Sequence, residues 1–322
     1  MKPMIHLGSA GLAAAFLGIA WAQGPAKSYT PPRTADGHPD LSGVWSSATI
    51  TPLERPANLA NKERFSNEEA AQFEKETLER NNADRRDGGA EADVGRAYND
   101  AWYDRGTKVV GTKRTSLIVD PKDGRIPALT PTAQKRQQEQ RAYARLHPAD
   151  GPEDRALTER CILWPTAGPP MLPSFYNNNY RIVQTPGAVT ILVEMVHDVR
   201  TIPTDGRPHV PSSVRQWMGD SRGHWEGDTL VVETTNFSDK TRFRGATENM
   251  KLTERFKRVA RDMLSYEFTV EDPAAFTKPW TASITWNKSD GDLYEYACSE
   301  GNYAMTGMLG GAREAEKKAA GQ

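Results

Sequence analysis

The most regular feature of the chain is an alternation of apolar and polar positions with period two. Leu264, Tyr266, Phe268 and Val270 alternate with Ser265, Glu267 and Thr269, and Trp280, Ala282, Ile284 and Trp286 alternate with Thr281, Ser283 and Thr285. That period places one set on each face of a strand, so both segments are expected as half-buried antiparallel strands. Turn-forming clusters separate such runs. Thr185-Pro186-Gly187-Ala188 predicts a hairpin between 181–184 and 189–202, and Glu226-Gly227-Asp228-Thr229 leads into 230–236. Ala260-Arg261-Asp262-Met263 joins 252–259 to 264–270, and Ser289-Asp290-Gly291-Asp292 joins Trp286 to a further strand over 293–297. Short strands linked by tight turns predict a mainly β chain, an antiparallel meander closed or nearly closed into a barrel with peripheral helices. Trp45 and residues 115–119 are expected to join it.

Two segments depart from this period. Ser66-Asn67-Glu68-Glu69 has the spacing of a capping box and predicts a helix over 67–80. Thr130 followed by Pro131 predicts a second helix, running through Leu146 and stopping before Pro148. The charged, Gly-containing stretch 83–97 reads as a loop. The organisation expected is therefore one domain over 41–313 with a helical insert at about 60–150. An extended, Pro-rich lead-in over 23–40 precedes it and a tail over 314–322 follows.

The N-terminus has its own grammar. Lys2, an apolar stretch over 7–19 and Ala20-Trp21-Ala22 form the three parts of a secretory signal peptide, residues 1–22, cut after Ala22. The protein is thus expected in the periplasm or outside the cell, without stable membrane insertion after cleavage. Cys161 and Cys298 are the only cysteines of the 322 residues. In an oxidising compartment they are expected to pair, the alternative being two buried thiols.

Charge narrows the partners. Lys and Arg number 41 against 42 Asp and Glu, a formal net charge of -1, which argues against nucleic acid. Motifs for nicotinamide or nucleotide binding, zinc proteolysis, α/β-hydrolase chemistry and c-type haem are missing from the sequence, so no cofactor is expected. The partner expected is a small molecule.

Polar residues with chemistry to offer cluster between 194 and 226, where three of the six histidines lie. In a continuous strand over 189–202, His197 falls with the apolar odd set and faces the barrel interior, whereas Glu194, Asp198 and Arg200 face away. An inward His is either a hydrogen-bonded core residue or a general acid or base in a dry cavity. Thr204-Asp205-Gly206-Arg207 reads as a turn that delivers Arg207 and His209 to a barrel mouth, where Arg207 is either an anion-binding group or a loop brace. A metal site drawn from His197, His209, His224 and a carboxylate matches no tight spacing, and no metal is assigned. The run Ser174–Tyr180 (Ser174-Phe175-Tyr176-Asn177-Asn178-Asn179-Tyr180) offers phenols and amides for stacking and hydrogen bonding, or a polar turn with two core aromatics.

The G-x-W of Gly43-Val44-Trp45 resembles the opening of lipocalin-like barrels, in which the Trp plugs one end. The motifs DPKDGRIP, HDVRTIPTDGRPH, WMGDSRGHWEGDTLVVETTNF and YEYACSEGNY resemble, over residues 40–313, a group of secreted bacterial proteins of unassigned function. That group occurs in multiple copies in environmental bacteria that degrade complex organic matter. The resemblance marks His197, Asp198, Arg200, Arg207, His209, Asp220, Trp225 and Glu226 as its motif residues. One function expected is a cofactor-independent acid–base enzyme, a lyase, isomerase, hydratase or hydrolase acting on a small organic, aromatic or carbohydrate-derived substrate. In it His197 is base or acid, Tyr176 or His224 the second proton-transfer group and Arg207 the anion stabiliser. Asn178, Tyr180, Arg200, His209, Trp217 and Trp225 contact the substrate. The alternatives are a lipocalin-like protein binding an apolar or aromatic molecule inside the barrel, and an envelope structural protein. An enzyme requires titratable groups converging on a cavity, a binder an apolar cavity, and a structural protein a filled barrel.

Overall fold

The computed structural model describes residues 29–95, 99–241 and 243–321. The fold is carried by the unit Pro31–Gln322. The expected signal peptide lies outside the described residues. Among the described residues ten strands form one sheet: β1 Gly43–Ser46, β2 Ile118–Asp120, β3 Asn179–Thr185, β4 Ala188–Val193, β5 Val199–Pro203, β6 Asp220–Glu226, β7 Thr229–Thr235, β8 Lys251–Ala260, β9 Met263–Glu271 and β10 Trp280–Lys288. Every pairing is antiparallel, in the order β5-β4-β3-β1-β10-β9-β8-β7-β6, with β2 also beside β10. Two meanders, β3–β5 and β6–β10, are thus stitched together by the short β1. Their free edges, β5 and β6, meet at a seam and nearly close the barrel.

The alternating residues decide which face is inside. Leu264, Tyr266, Phe268, Val270, Trp280, Ala282, Ile284 and Trp286 are all buried. Tyr180 stacks on Trp286 with centroids 4.3 Å apart, and Tyr266 packs between Phe256 and Trp286 at 4.9 and 5.0 Å. Aromatic rings therefore fill the interior, each contributing about 1.5–3 kcal/mol by burial. Trp45 is buried in the same core, its indole nitrogen donating to the Leu41 carbonyl at 2.9 Å.

Among the described residues four helices lie outside the sheet: α1 Asn67–Asn81, α2 Gly89–Gly95, α3 Pro131–Leu146 and α4 Tyr303–Ala319. The caps are those expected. Ser66 and Glu69 form the capping box of α1, and Thr130 accepts from the Ala133 N–H at the start of α3. Four expectations are corrected. Residues 83–97 include α2 rather than a loop alone. Residues 293–297 form no strand. The segment expected as a tail from 314 is the second half of α4. Within the lead-in, Arg33 and Pro39 bridge, so 33–39 is a closed turn rather than extended chain. Cys161 and Cys298 are disulfide-bonded, their Cα atoms 5.6 Å apart, and this excludes the two-thiol alternative.

Candidate functional site

The strand expected over 189–202 is broken. A 3-10 turn, Met195–His197, separates β4 from β5, with Val196 at φ 60° and His197 at φ 44°. The left-handed region is costly for a β-branched residue such as Val196. Buried Glu194 holds the turn, its carboxylate accepting from Asn179 Nδ2 at 2.7 Å and the Tyr294 N–H at 3.2 Å. The break changes the parity of the faces. On β4 the odd residues Val189, Ile191 and Val193 are inside, whereas on β5 the even residues Arg200 and Ile202 are.

His197 is therefore exposed, not inside the barrel, and its Nδ1 donates to the Tyr296 carbonyl at 3.1 Å. Arg200, expected to face away, is enclosed instead. Its guanidinium meets Glu254 of β8 at 3.0 and 2.6 Å, and Ser221 Oγ of β6 at 3.1 Å. Tyr266 donates to the same carboxylate at 2.8 Å. Burial works against the Arg200 charge, and Glu254 more than offsets it, so the arginine stays protonated. The inward pattern Leu252-x-Glu254-x-Phe256 already carries the signal for this pair, because a carboxylate on an apolar face needs a cation.

The remaining expected residues do not converge. His224 is exposed on β6 and pairs with Glu226 at 3.1 Å. Arg207 is exposed and braced within its own turn by Asp205, Nε to Oδ2 2.8 Å. His209 is held outside the barrel by Asp220 at 2.7 Å, tying the 204–219 crossover to β6. Trp225 stacks on His38 at 4.9 Å. Tyr180 is a core ring whose hydroxyl donates to the Thr166 carbonyl. Trp217 and Arg200 do share a cleft, about 560 Å³ in volume, at the β5–β6 seam. Among the described residues no group of three or more His, Cys, Asp or Glu side chains is arranged to hold a metal ion.

Two convergences emerge outside the barrel. Tyr176 and His197 both meet Tyr296, the two phenols 3.4 Å apart. Beside them Asp198 has one carboxylate oxygen buried without a hydrogen bond, and burial pushes its carboxyl up to about 6, against the opposing pull of His197. The second convergence is a cleft of about 580 Å³ between the sheet and the helical insert. Arg80 of α1, Arg105 and Arg244 line it together with Leu53, Phe73 and the exposed ring of Phe175, and no carboxylate does.

Local structure delivers these groups. Gly106, at φ 78°, lets the 103–106 segment lie against Ala48 and Thr49, where a Cβ would stand 2.8 Å from their backbone. Asn178, expected to touch substrate, is fully buried and clamps this segment to the 174–178 loop. It donates to the Asp104 carbonyl at 2.5 Å and accepts from the Ser174 N–H at 2.7 Å. Arg105 sits 3.8 Å above the Tyr103 ring and donates to the Asn81 carbonyl at 3.0 Å, while its Nε is buried and unpartnered. Arg80 bonds only Thr77, and among the described residues none of the three arginines pairs with a carboxylate. They stand alone in three distant segments, so no local pattern announces them. The chain matches no protein-family model and has no significant match among curated proteins.

Proposed function

We propose that the protein binds a small aromatic anion, a carboxylate or phenolate, in the arginine-lined cleft. Three guanidinium groups without carboxylate partners line one cleft, and each gains charge-assisted hydrogen bonds from a bound anion. Phe175 and Phe73 supply flat apolar surface beside that charge. The observation that carries the reading is three arginines without carboxylate partners in a cleft that no carboxylate lines. The export signal expected at residues 1–22 would place this binding in the periplasm or outside the cell. Titration with 4-hydroxybenzoate, followed by NMR, tests it against the neutral 4-hydroxybenzyl alcohol. The acid should bind and the alcohol should bind at least tenfold more weakly. Arg105→Ala should weaken the acid by about tenfold to a hundredfold, the range for a lost charged hydrogen bond. Equal binding of acid and alcohol would reject the reading.

A second reading, acid–base catalysis, is favoured by Asp198. A carboxyl that titrates at about 6, with a bare buried oxygen next to two left-handed residues, is suited to taking and returning a proton near neutral pH. His197, its neighbour in the chain, is the group whose charge acts on it. Turnover of a panel of small aromatic acids and esters by purified protein, lost in Asp198→Asn and retained in Arg207→Ala, is the expected result. No turnover across the panel leaves the protein a binder.

A further inference from the structure

The arginine cleft does not end at its arginines. Leu172 and Arg244 also line a second cleft of about 340 Å³, walled by Leu157, Leu163, Trp164 and Phe243 with the prolines 165, 169 and 170. The two clefts therefore abut, sharing one apolar side chain and one cation. Their chemistry differs sharply. The first also carries Arg80 and Arg105, which the second lacks, whereas the second has Arg244 as its sole charged lining residue. Arg244 is exposed, adopts φ 54°, and makes no hydrogen bond or ion pair among the described residues. The shared Leu172 and the free guanidinium of Arg244 thus join a cationic cleft to an aromatic and aliphatic one.

Resting on the anion-binding reading above, we infer that the ligand is bipartite: an anionic head held by Arg80 and Arg105, and an apolar tail that passes Leu172 beneath Arg244 into the Trp164–Phe243 compartment. A short aromatic acid would use only the first compartment and leave the second wet. An arylalkanoate or a medium-length alkyl carboxylate would exclude water from both, and each methylene moved from water to the tail compartment adds affinity. The charge asymmetry fixes the direction, because a carboxylate placed at the Trp164 end would be desolvated without a cation beyond Arg244.

Benzoate, 3-phenylpropanoate and 5-phenylpentanoate, titrated into the full chain by calorimetry and NMR, test the inference. Affinity should rise about twofold to fourfold per added methylene. Leu157→Asp puts a charge in the tail compartment at a half-buried position outside the main core. It should abolish that rise and leave benzoate binding unchanged. Phe243→Ala should reduce the rise without abolishing benzoate binding. Arg105→Ala should weaken all three acids by the same factor. Benzoate binding with no dependence on length overturns the bipartite ligand and leaves the anion site standing. No binding of any acid overturns both. A rise with length that survives Leu157→Asp, or that is indifferent to Arg105→Ala, overturns the inference by showing that the tail lies elsewhere or that the head is not held by the arginines.

Discussion

Arg200 and Glu254 are enclosed in a barrel otherwise filled with rings, joined by two hydrogen bonds of 3.0 and 2.6 Å. Removing two charges from water is expensive, and pairing compensates only while both partners remain. Glu254→Gln leaves the guanidinium buried without its counter-charge and should cost about 3–5 kcal/mol, whereas Arg200→Met with Glu254→Leu should recover most of that. Urea denaturation of the three proteins measures it; a single variant as stable as the double would contradict the account. Asp198 gives the opposite sign. Its carboxyl titrates at about 6 because burial disfavours the charge. In the unfolded chain it titrates near ~3.9. Between those values the folded state keeps a proton that the unfolded state has lost, so this group's contribution to stability falls as the pH rises from about 4 to about 6. Asp198→Asn cannot ionise. It should match the wild type near pH 4 and exceed it at pH 7 by about 1 kcal/mol, the effect being limited by solvent screening. Urea midpoints at the two pH values decide it, and a variant less stable at pH 7 would show that the charge is favoured.

At the level of elements, the seam between β5 and β6 is the weakest closure of the sheet, because no strand ladder joins these edges. It is held by close packing instead. A Cβ on Gly223 would lie 2.9 Å from Ile202 Cγ2 and 3.1 Å from Thr204 Cγ2, both branches of stiff side chains. Gly223→Ala should therefore push the two edges apart at a cost of about 1–3 kcal/mol. Hydrogen exchange should rise along β5 and β6 while β8 and β9 stay protected; a uniform rise would mean that the seam is not a separate unit. The hairpin turns at 186–187, 227–228 and 261–262 and the caps at Ser66 and Thr130 lie where the sequence places them, because turns and caps depend on residues within a few positions of each other. The break at Met195–His197 leaves no such trace. It requires positive φ at a valine and a histidine, against their intrinsic preference, and contacts from Asn179 and Tyr294 hold Glu194 beside it.

For the whole molecule, the Cys161–Cys298 bond spans 137 residues and ties the segment before β3 to the segment before α4. In the chain-entropy account a loop of that length constrains the unfolded chain by roughly 5 kcal/mol. Replacing both cysteines by serine should lower stability by about 2–5 kcal/mol, read from denaturant midpoints without reductant. An unchanged midpoint would show that the cross-link contributes nothing to folding.

The strands from β8 to β10, the turns between them, the capped helices and the pairing of two lone cysteines were legible in the chain because each rests on neighbouring residues or on simple counting. The facing of His197 and Arg200 was not. A single three-residue turn reverses the parity of every position after it, and nonlocal contacts hold that turn in place. Nor was the filling of the barrel legible, since alternation says which residues are inside but not whether their volumes close the space. The meeting of Arg80, Arg105 and Arg244 lies furthest from the sequence. They come from α1, from the loop before β2 and from the β7–β8 connection, and they become neighbours only when the insert packs against the sheet.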